Sequence, residues 1–382
     1  MHEVGLGRSR RGTRERSMEY DIVFEGGGAK GIAFLGAFAE LEARGHRPAR
    51  IVGTSAGAIF STLIAVGYDA ESATRAVARR DEHGTLLLTR LLDPPAQLDP
   101  ELVRHSQLAR MFDAIDLPLL SESTERRMAE TIMNGLAHVP HFCQLLLFLE
   151  RGGLYEGEEF VRWLRGLIEE RAPGLGDATF AQMFAHTGRD LSLVASDLDD
   201  RRLLVLNHRT APRVPVVMAA RMSMGIPLVW QEKQWDASWG PYMGRELTGH
   251  AIVDGGLLSN FPMYLIATDL AEVVEVMGPE DPRRVPNLGL MLDEEAADPD
   301  MPPSPKPSAA PNPVLSRFGR LVKTVVEARD RYVVERCMQD HEVCALPVAG
   351  VGTTEFDLSP ERFDALVAAG RKATAAWFDR QA

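Results

Sequence analysis

The sequence contains few cysteines and no long hydrophobic run, and each absence excludes a class of protein. Its three cysteines, Cys143, Cys337 and Cys344, are an odd number without close spacing. They therefore predict neither a disulfide framework nor a cysteine metal site, and they favour a reducing compartment. No stretch of about 18 or more apolar residues occurs, so the sequence predicts no membrane-spanning helix.

Positive charge is scarce as well. Lys and Arg number 42 against 54 Asp and Glu, which gives a formal net charge of −12. This balance argues against nucleic acid as a partner and provides no general attraction to anionic membranes. Contact with a lipid surface would therefore depend on local apolar side chains. We expect a cytoplasmic protein, with peripheral membrane contact as an alternative.

The N-terminus departs from this acidic composition. It contains several arginines, but no apolar run follows them that could serve as the core of a signal peptide. We predict that residues 1–17 form a disordered basic arm, with translation from Met18 as an alternative. Residues 18–382 are predicted to form a single domain. Export by a route that needs no cleavable signal stays open.

Strand-like and helical segments alternate after Met18. Tyr20–Phe24 and Ile51–Val52 are apolar and β-prone, whereas Gly31–Arg44 and Ala56–Val66 carry apolar residues at helical spacing. Further strand-like segments occur at 191–194, 203–206 and 251–253. Repetition of strand, glycine turn and helix predicts an α/β fold with a mostly parallel central sheet flanked by helices.

Two regions are expected to lie outside this alternation. Residues 86–175 are predicted to form a helical cap region, and residues 296–313 a proline-rich mobile loop, because seven of the fifteen residues from 299 to 313 are proline. Within the cap, the segments 86–92 and 142–148 are rich in Leu and Phe. They are interpreted as core beneath the cap or, if exposed, as a membrane-docking patch.

The first motif with chemical content is Gly53-Thr54-Ser55-Ala56-Gly57, which fits G-x-S-x-G between a predicted strand and a helix. A serine hydroxyl becomes a nucleophile when a sharp turn exposes it beside a base at a helix N-terminus. Gly53 and Gly57 remove Cβ atoms that would clash in such a turn. The alternative is a serine that only caps the following helix.

The second motif is a glycine-rich loop directly after the first strand, formed by Gly26, Gly27, Gly28 and Gly31. Its N–H groups could bind either a phosphate or the oxyanion of an acyl-transfer intermediate. A dinucleotide site requires an acidic residue at the end of the next strand, and none is present there. A Walker P-loop requires Ser or Thr after the lysine, whereas Lys30 precedes Gly31. The oxyanion interpretation explains both glycine clusters together.

The third motif is Asp254-Gly255-Gly256 at the end of the strand-like segment 251–253. It brings a carboxylate to the sheet edge where active sites of α/β proteins lie. An Asp-Gly turn without chemical function is the alternative.

Together the three motifs resemble those of the patatin-like phospholipases in type, order and spacing. Three further segments are similar to later family motifs: Met222–Pro227, Asn260–Pro262 and Gly352–Asp357. The resemblance covers roughly residues 18 to 370 and implies a three-layer patatin-like fold. It also implies a catalytic dyad of Ser55 and Asp254, an oxyanion hole in the glycine-rich loop, and no metal or other cofactor. Lys30 is expected to add positive charge near the loop or to face solvent.

Three hypotheses of function follow. The first is a lipid acyl hydrolase of the phospholipase A or lysophospholipase type, acting on phospholipids or lysophospholipids. The second is a partner-activated lipase effector that is inactive alone, and the third is a nucleotide-binding module that uses the glycine-rich loop. A Ser–Asp–His triad would require His341, which follows Asp254 in the sequence but stands in a polar stretch without a preceding strand.

Overall fold

A computed structural model describes residues 17–92, 139–279, 285–303 and 342–381, together with Ser106, Arg110, Gly135 and Thr324. The described strands are β1 Glu19–Phe24, β2 Arg47–Thr54, β3 Gly153–Tyr155, β4 Asp190–Asp197, β5 Arg202–Leu206, β6 Leu228–Trp230, β7 Lys233–Gln234, β8 Ala251–Asp254, β9 Asn287–Asp293 and β10 Val343–Pro347. The described α-helices are α1 Ala33–Ala43, α2 Ala56–Val66, α3 Ala70–Val77, α4 Pro140–Arg151, α5 Glu158–Arg171, α6 Phe180–Thr187, α7 Val216–Ser223, α8 Tyr264–Ala267, α9 Ala271–Met277 and α10 Pro360–Gln381. Short 3-10 turns lie at Gly28–Ile32, Leu87–Leu92, Ala237–Trp239 and Gly255–Leu257.

Within the described part of the chain, the central sheet has eight strands and is mostly parallel. Strands β10, β9, β1, β2 and β4 lie side by side in that order and run parallel. Strands β5 and β8 both pair antiparallel with β4, and β7 pairs antiparallel with β8. Strands β3 and β6 form a separate two-stranded sheet.

Helices cover both faces of this sheet, and the alternation of side chains along β1 separates the two faces. Ile22 and Phe24 pack into a large core cluster that includes residues of α1, α2 and α10. Val23 points the other way, into a second cluster that includes residues of α8 and α9. The result is a three-layer α/β fold, as the sequence predicts.

The register along β4 determines where the candidate site lies. Strand β2 pairs with residues 190–194 of β4, and β8 pairs with residues 195–197. Strand β5 pairs with residues 193–197, which overlaps both pairings, so β5 must occupy the opposite edge of β4. Strands β2 and β8 therefore meet end to end along one edge, with Thr54 opposite Val194 and Asp254 opposite Ala195.

The helix α2 and the strands at β1, β2, β4, β5 and β8 agree with the sequence prediction, with strand ends differing by a few residues. The strands β9 and β10 and the long helix α10 were not predicted. Predictions for residues 1–16 and 304–313, and for just under half of the cap region, fall outside the described residues. In the cap, the side chains of Leu86, Leu88, Leu91, Leu146 and Leu147 are buried, as expected for core. No described helix combines the length and the apolarity needed to cross a bilayer.

Candidate active site

Ser55 occupies the sharp turn between β2 and α2. Its backbone has φ 52° and ψ −117°, a strained conformation for a residue other than glycine. The turn is tightly packed, because a Cβ on Gly57 would lie 2.2 Å from the carbonyl oxygen of Phe24. Ser55 is the N-cap residue of α2, yet its side chain makes no capping hydrogen bond, so the capping alternative does not account for the hydroxyl. The positive end of the helix dipole lies beside this hydroxyl.

Asp254 is the last residue of β8, and its carboxyl group is almost completely buried. Its Oδ1 accepts a hydrogen bond from the N–H of Gly256 at 2.7 Å, whereas Oδ2 has no hydrogen-bond partner among the described residues. Burial raises the pKa of Asp254 to about 7, although the Ser55 side chain and the Gly256 amide both lower it. The carboxyl therefore lies next to the Ser55 hydroxyl and is more basic than an ordinary aspartate.

The glycine-rich loop packs directly against the nucleophile turn. A Cβ on Gly26 would lie 3.1 Å from the Cβ of Ser55, and one on Gly31 would lie 2.8 Å from the Cβ of Ala56. The N–H of Gly26 donates to the Asn260 carbonyl at 3.1 Å. No described residue accepts a hydrogen bond from the N–H of Gly27 or Gly28. Gly27 and Gly28 are also partly exposed, so these two amides are open to a ligand.

Asn260 connects the glycine-rich loop to the segment after Asp254. Its side-chain amide donates to the Gly26 carbonyl at 2.9 Å and to the Glu25 carboxylate at 3.1 Å. Its Oδ1 would lie 2.8 Å from a Cβ on Gly256, so that segment has no room for a larger residue there. Asn260 belongs to one of the motifs identified in the sequence, but the motif alone did not indicate this contact.

Of the two expectations for Lys30, positive charge near the loop or exposure to solvent, the second was wrong. Lys30 is 4% exposed, and its ammonium group forms a salt bridge with Glu294 and donates to the Thr353 hydroxyl at 3.1 Å. The Thr353 carbonyl also accepts a hydrogen bond from the N–H of Ala29 at 2.9 Å. Lys30 thus anchors the far side of the glycine-rich loop to the segments after β9 and β10.

One group of side chains has the composition of a metal site. Atoms of Asp197, Asp200 and His250 lie within 4.8 Å of one another. The Asp197 carboxylate already accepts from the His250 ring at 3.0 Å and from two backbone amides, and Asp200 forms a salt bridge with Arg245 at 2.5 Å. Both carboxylates are thus already engaged with other groups of the protein. The three residues lie at the end of β8 opposite Asp254.

His341, the residue that a triad would require, lies outside the described residues.

A family model described as patatin-like phospholipase matches residues 22–266. The match covers more than half of the chain and includes the strands, the helix and the turns that carry Ser55 and Asp254. The chain therefore belongs to the patatin-like phospholipase family, a family of lipid hydrolases.

Comparisons with individual proteins give more distant similarities. The protein YqhO of Bacillus subtilis (strain 168), described as uncharacterized, is 28% identical over 366 residues, which span 94% of this chain and 97% of YqhO. The structure of VipD from Legionella pneumophila matches with a TM-score of 0.46 at 18% identity, covering 94% of this chain and 67% of VipD. The ExoU–SpcU complex from the type III secretion system of Pseudomonas aeruginosa matches with a TM-score of 0.41 at 16% identity, covering 96% of this chain and 53% of the matched chain. At these TM-scores the structural similarities do not bear on activity.

The oxyanion interpretation of the glycine-rich loop predicts that the substitution Gly28→Ala lowers kcat for a soluble ester by about 100-fold, the order found when an oxyanion donor is lost. Gly28 has φ +58°, and an added Cβ would lie 2.0 Å from the Thr353 carbonyl oxygen, so the loop must move. Movement of the loop would displace the N–H groups of Gly27 and Gly28. The measurement is kcat on a fluorogenic short-chain ester.

Gly188→Ala is the matched control for this substitution. Gly188 has φ +66°, but an added Cβ would meet nothing within 4 Å. The control therefore introduces similar backbone strain, costing about 1 kcal/mol of stability, without moving the loop. Equal kcat values for folded Gly28→Ala and Gly188→Ala would contradict a role for the loop in the reaction.

Proposed function

We propose that this protein is a serine acyl hydrolase that cleaves carboxylic ester bonds of lipids through a dyad of Ser55 and Asp254. The observation that carries the proposal is the junction of β2 and β8 on one edge of β4, where a strained serine turn meets a buried carboxyl group. Family membership supports lipids as the substrate class, and phospholipids or lysophospholipids are the substrates to test first.

In the proposed reaction, the Asp254 carboxylate takes the hydroxyl proton as Oγ of Ser55 bonds to the ester carbonyl carbon. The carbonyl oxygen becomes an oxyanion, which the N–H groups of Gly27 and Gly28 and the N-terminus of α2 stabilise. Collapse of this intermediate breaks the ester bond, and the departing alcohol receives the proton from Asp254. Water then attacks the acyl-enzyme with Asp254 as base, which releases the fatty acid and restores the Ser55 hydroxyl.

A raised pKa suits Asp254 to this role. A carboxylate with a pKa near 4 would be a weak base toward a serine hydroxyl, whereas a pKa of about 7 lies close to the working pH. The burial that raises the pKa of Asp254 is also expected at a site that excludes water from an ester.

The nucleotide-binding hypothesis receives less support from the geometry. The glycine-rich loop packs against Ser55 and Ala56, so a ligand held by its free amides would lie against a serine hydroxyl and a carboxyl group. A carboxylate would repel a bound phosphate, whereas beside an ester it can act as a base.

The test is hydrolysis by the purified full-length chain of a fluorogenic short-chain ester and of a panel of phospholipids and lysophospholipids, with fatty acid release measured by mass spectrometry. A fluorophosphonate probe followed by peptide mapping identifies the nucleophile independently of lipid presentation. We expect ester turnover and modification at Ser55. A chain that neither hydrolyses any member of the panel nor reacts with the probe at Ser55 would overturn the proposal.

A further inference from the structure

Ser223, the last residue of α7, forms two buried hydrogen bonds at the junction of β2 and β8. Its hydroxyl accepts from the N–H of Ser55 at 3.0 Å and donates to the carbonyl of Val194 on β4 at 2.6 Å. Ser223 has no exposed surface, so its hydroxyl is not positioned to contact a substrate. The hydroxyl thus connects the backbone of the candidate nucleophile to the strand beside it.

The junction of β2 and β8 requires a side chain that can both donate and accept a hydrogen bond. At Ser55 the chain turns away from β4 with a positive φ, so the pairing of the two strands no longer supplies a hydrogen-bond acceptor for the N–H of Ser55. An unpaired buried amide is costly, and so is an unpaired buried carbonyl. A hydroxyl is a donor and an acceptor at once, so one serine can pair both groups, whereas alanine can pair neither.

The same segment also holds the candidate base. The carbonyl of Gly225, two residues after Ser223, accepts a hydrogen bond from the N–H of Asp254 at 3.0 Å. The backbone amides of Ser55 and Asp254 are therefore both anchored to the segment Ser223–Gly225. This common anchor sets the distance between two residues that stand about 200 positions apart in the sequence.

We propose that Ser223 is a positioning residue of the active site, which holds Ser55 in its strained turn at the correct distance from Asp254. The inference rests on the proposed function and extends it to a residue without direct contact to the substrate. Loss of the hydroxyl would let the Ser55 turn relax, and small displacements of a nucleophile reduce rates strongly.

The decisive experiment compares Ser223→Thr with Ser223→Val, because the two side chains have nearly the same shape and only threonine has a hydroxyl. Relative to Ser223→Val, Ser223→Thr is expected to react about 10- to 100-fold faster in both kcat for a soluble ester and the rate of fluorophosphonate labelling. The KM values of the two variants are expected to agree within about twofold, because the hydroxyl affects the reacting geometry and not substrate contacts. Ser223→Ala, which adds no volume, is expected to show the same loss as Ser223→Val.

Ser192→Ala is the matched control for a lost buried hydroxyl. Ser192 lies on β4 and, like Ser223, has no exposed surface, and its hydroxyl accepts a hydrogen bond from the Asn207 side chain at 3.0 Å, away from the site. We expect a lower melting temperature but wild-type kcat and labelling rate. If folded Ser223→Ala and Ser223→Val keep wild-type kcat and labelling rate, the inference fails while the proposed function stands. If the wild type itself neither hydrolyses the ester nor reacts at Ser55, the proposed function fails and the inference fails with it.

Discussion

The Ser55→Ala variant is expected to lose ester hydrolysis by about 10⁴-fold or more, because no acyl-enzyme can form without the hydroxyl. The substitution removes one oxygen from a side chain that makes no capping hydrogen bond, so the fold should not depend on it. The measurements are kcat on a fluorogenic ester, fatty acid release from phospholipid, and fluorophosphonate labelling. All three should fall together.

The control for this experiment is Ser61→Ala. Ser61 is also buried and lies on α2, and its hydroxyl has no hydrogen-bond partner among the described residues. Its loss should leave hydrolysis at the wild-type level, which shows that shortening a serine on this helix is not harmful in itself. Retention of more than about a tenth of wild-type kcat by Ser55→Ala would mean that another residue is the nucleophile.

The sequence was informative about those parts of the candidate site that consist of residues adjacent in the chain. The segments around Ser55 and Asp254 are short, and each contains the glycines that its turn requires, so local sterics make the turns visible in the sequence. The α/β class followed from the alternation of strands and helices, and the family match to residues 22–266 agrees with the resemblance drawn from the three motifs.

What the sequence could not provide is the tertiary arrangement between those segments. The meeting of β2 and β8 depends on hydrogen-bond register along β4, which no local pattern encodes. Ser223 belongs to the sequence motif Met222–Pro227, but its hydrogen-bond partners Ser55 and Val194 lie 168 and 29 residues away in the chain, so the motif did not indicate them. Burial of Lys30 depends on Glu294, which is likewise distant in sequence. Long-range pairings of this kind define the candidate site.

The Asp254→Asn variant is expected to lose kcat by about 10³-fold or more, since an amide has nearly the shape of the carboxyl but cannot take a proton. Its side-chain oxygen can still accept from the Gly256 amide, as Oδ1 of Asp254 does. In the wild type, kcat/KM should fall as pH drops below about 7, because the base becomes protonated there. An Asp254→Asn variant with near wild-type kcat would exclude Asp254 as the base.

The same substitution is expected to stabilise the protein, with a pH dependence of defined sign. The pKa of Asp254 is raised from 3.8 to about 7 on folding, so between these values the folded chain binds more protons than the unfolded chain. The contribution of this carboxyl to stability is therefore greatest at low pH and is lost as pH rises toward 7, by at most about 4 kcal/mol. Asparagine has no such loss, because it stays uncharged.

Thermal unfolding at several pH values measures this difference. The melting temperature of Asp254→Asn should exceed that of the wild type at pH 8, and the difference should shrink toward pH 5. Ser55→Ala is the control, since it is also inactive but keeps the buried carboxyl, and its pH dependence should be at least as steep as that of the wild type. A melting temperature for Asp254→Asn at or below the wild-type value at pH 8 would mean that the carboxyl is not destabilised by burial. The raised pKa, and with it the argument for Asp254 as a base matched to neutral pH, would then fail.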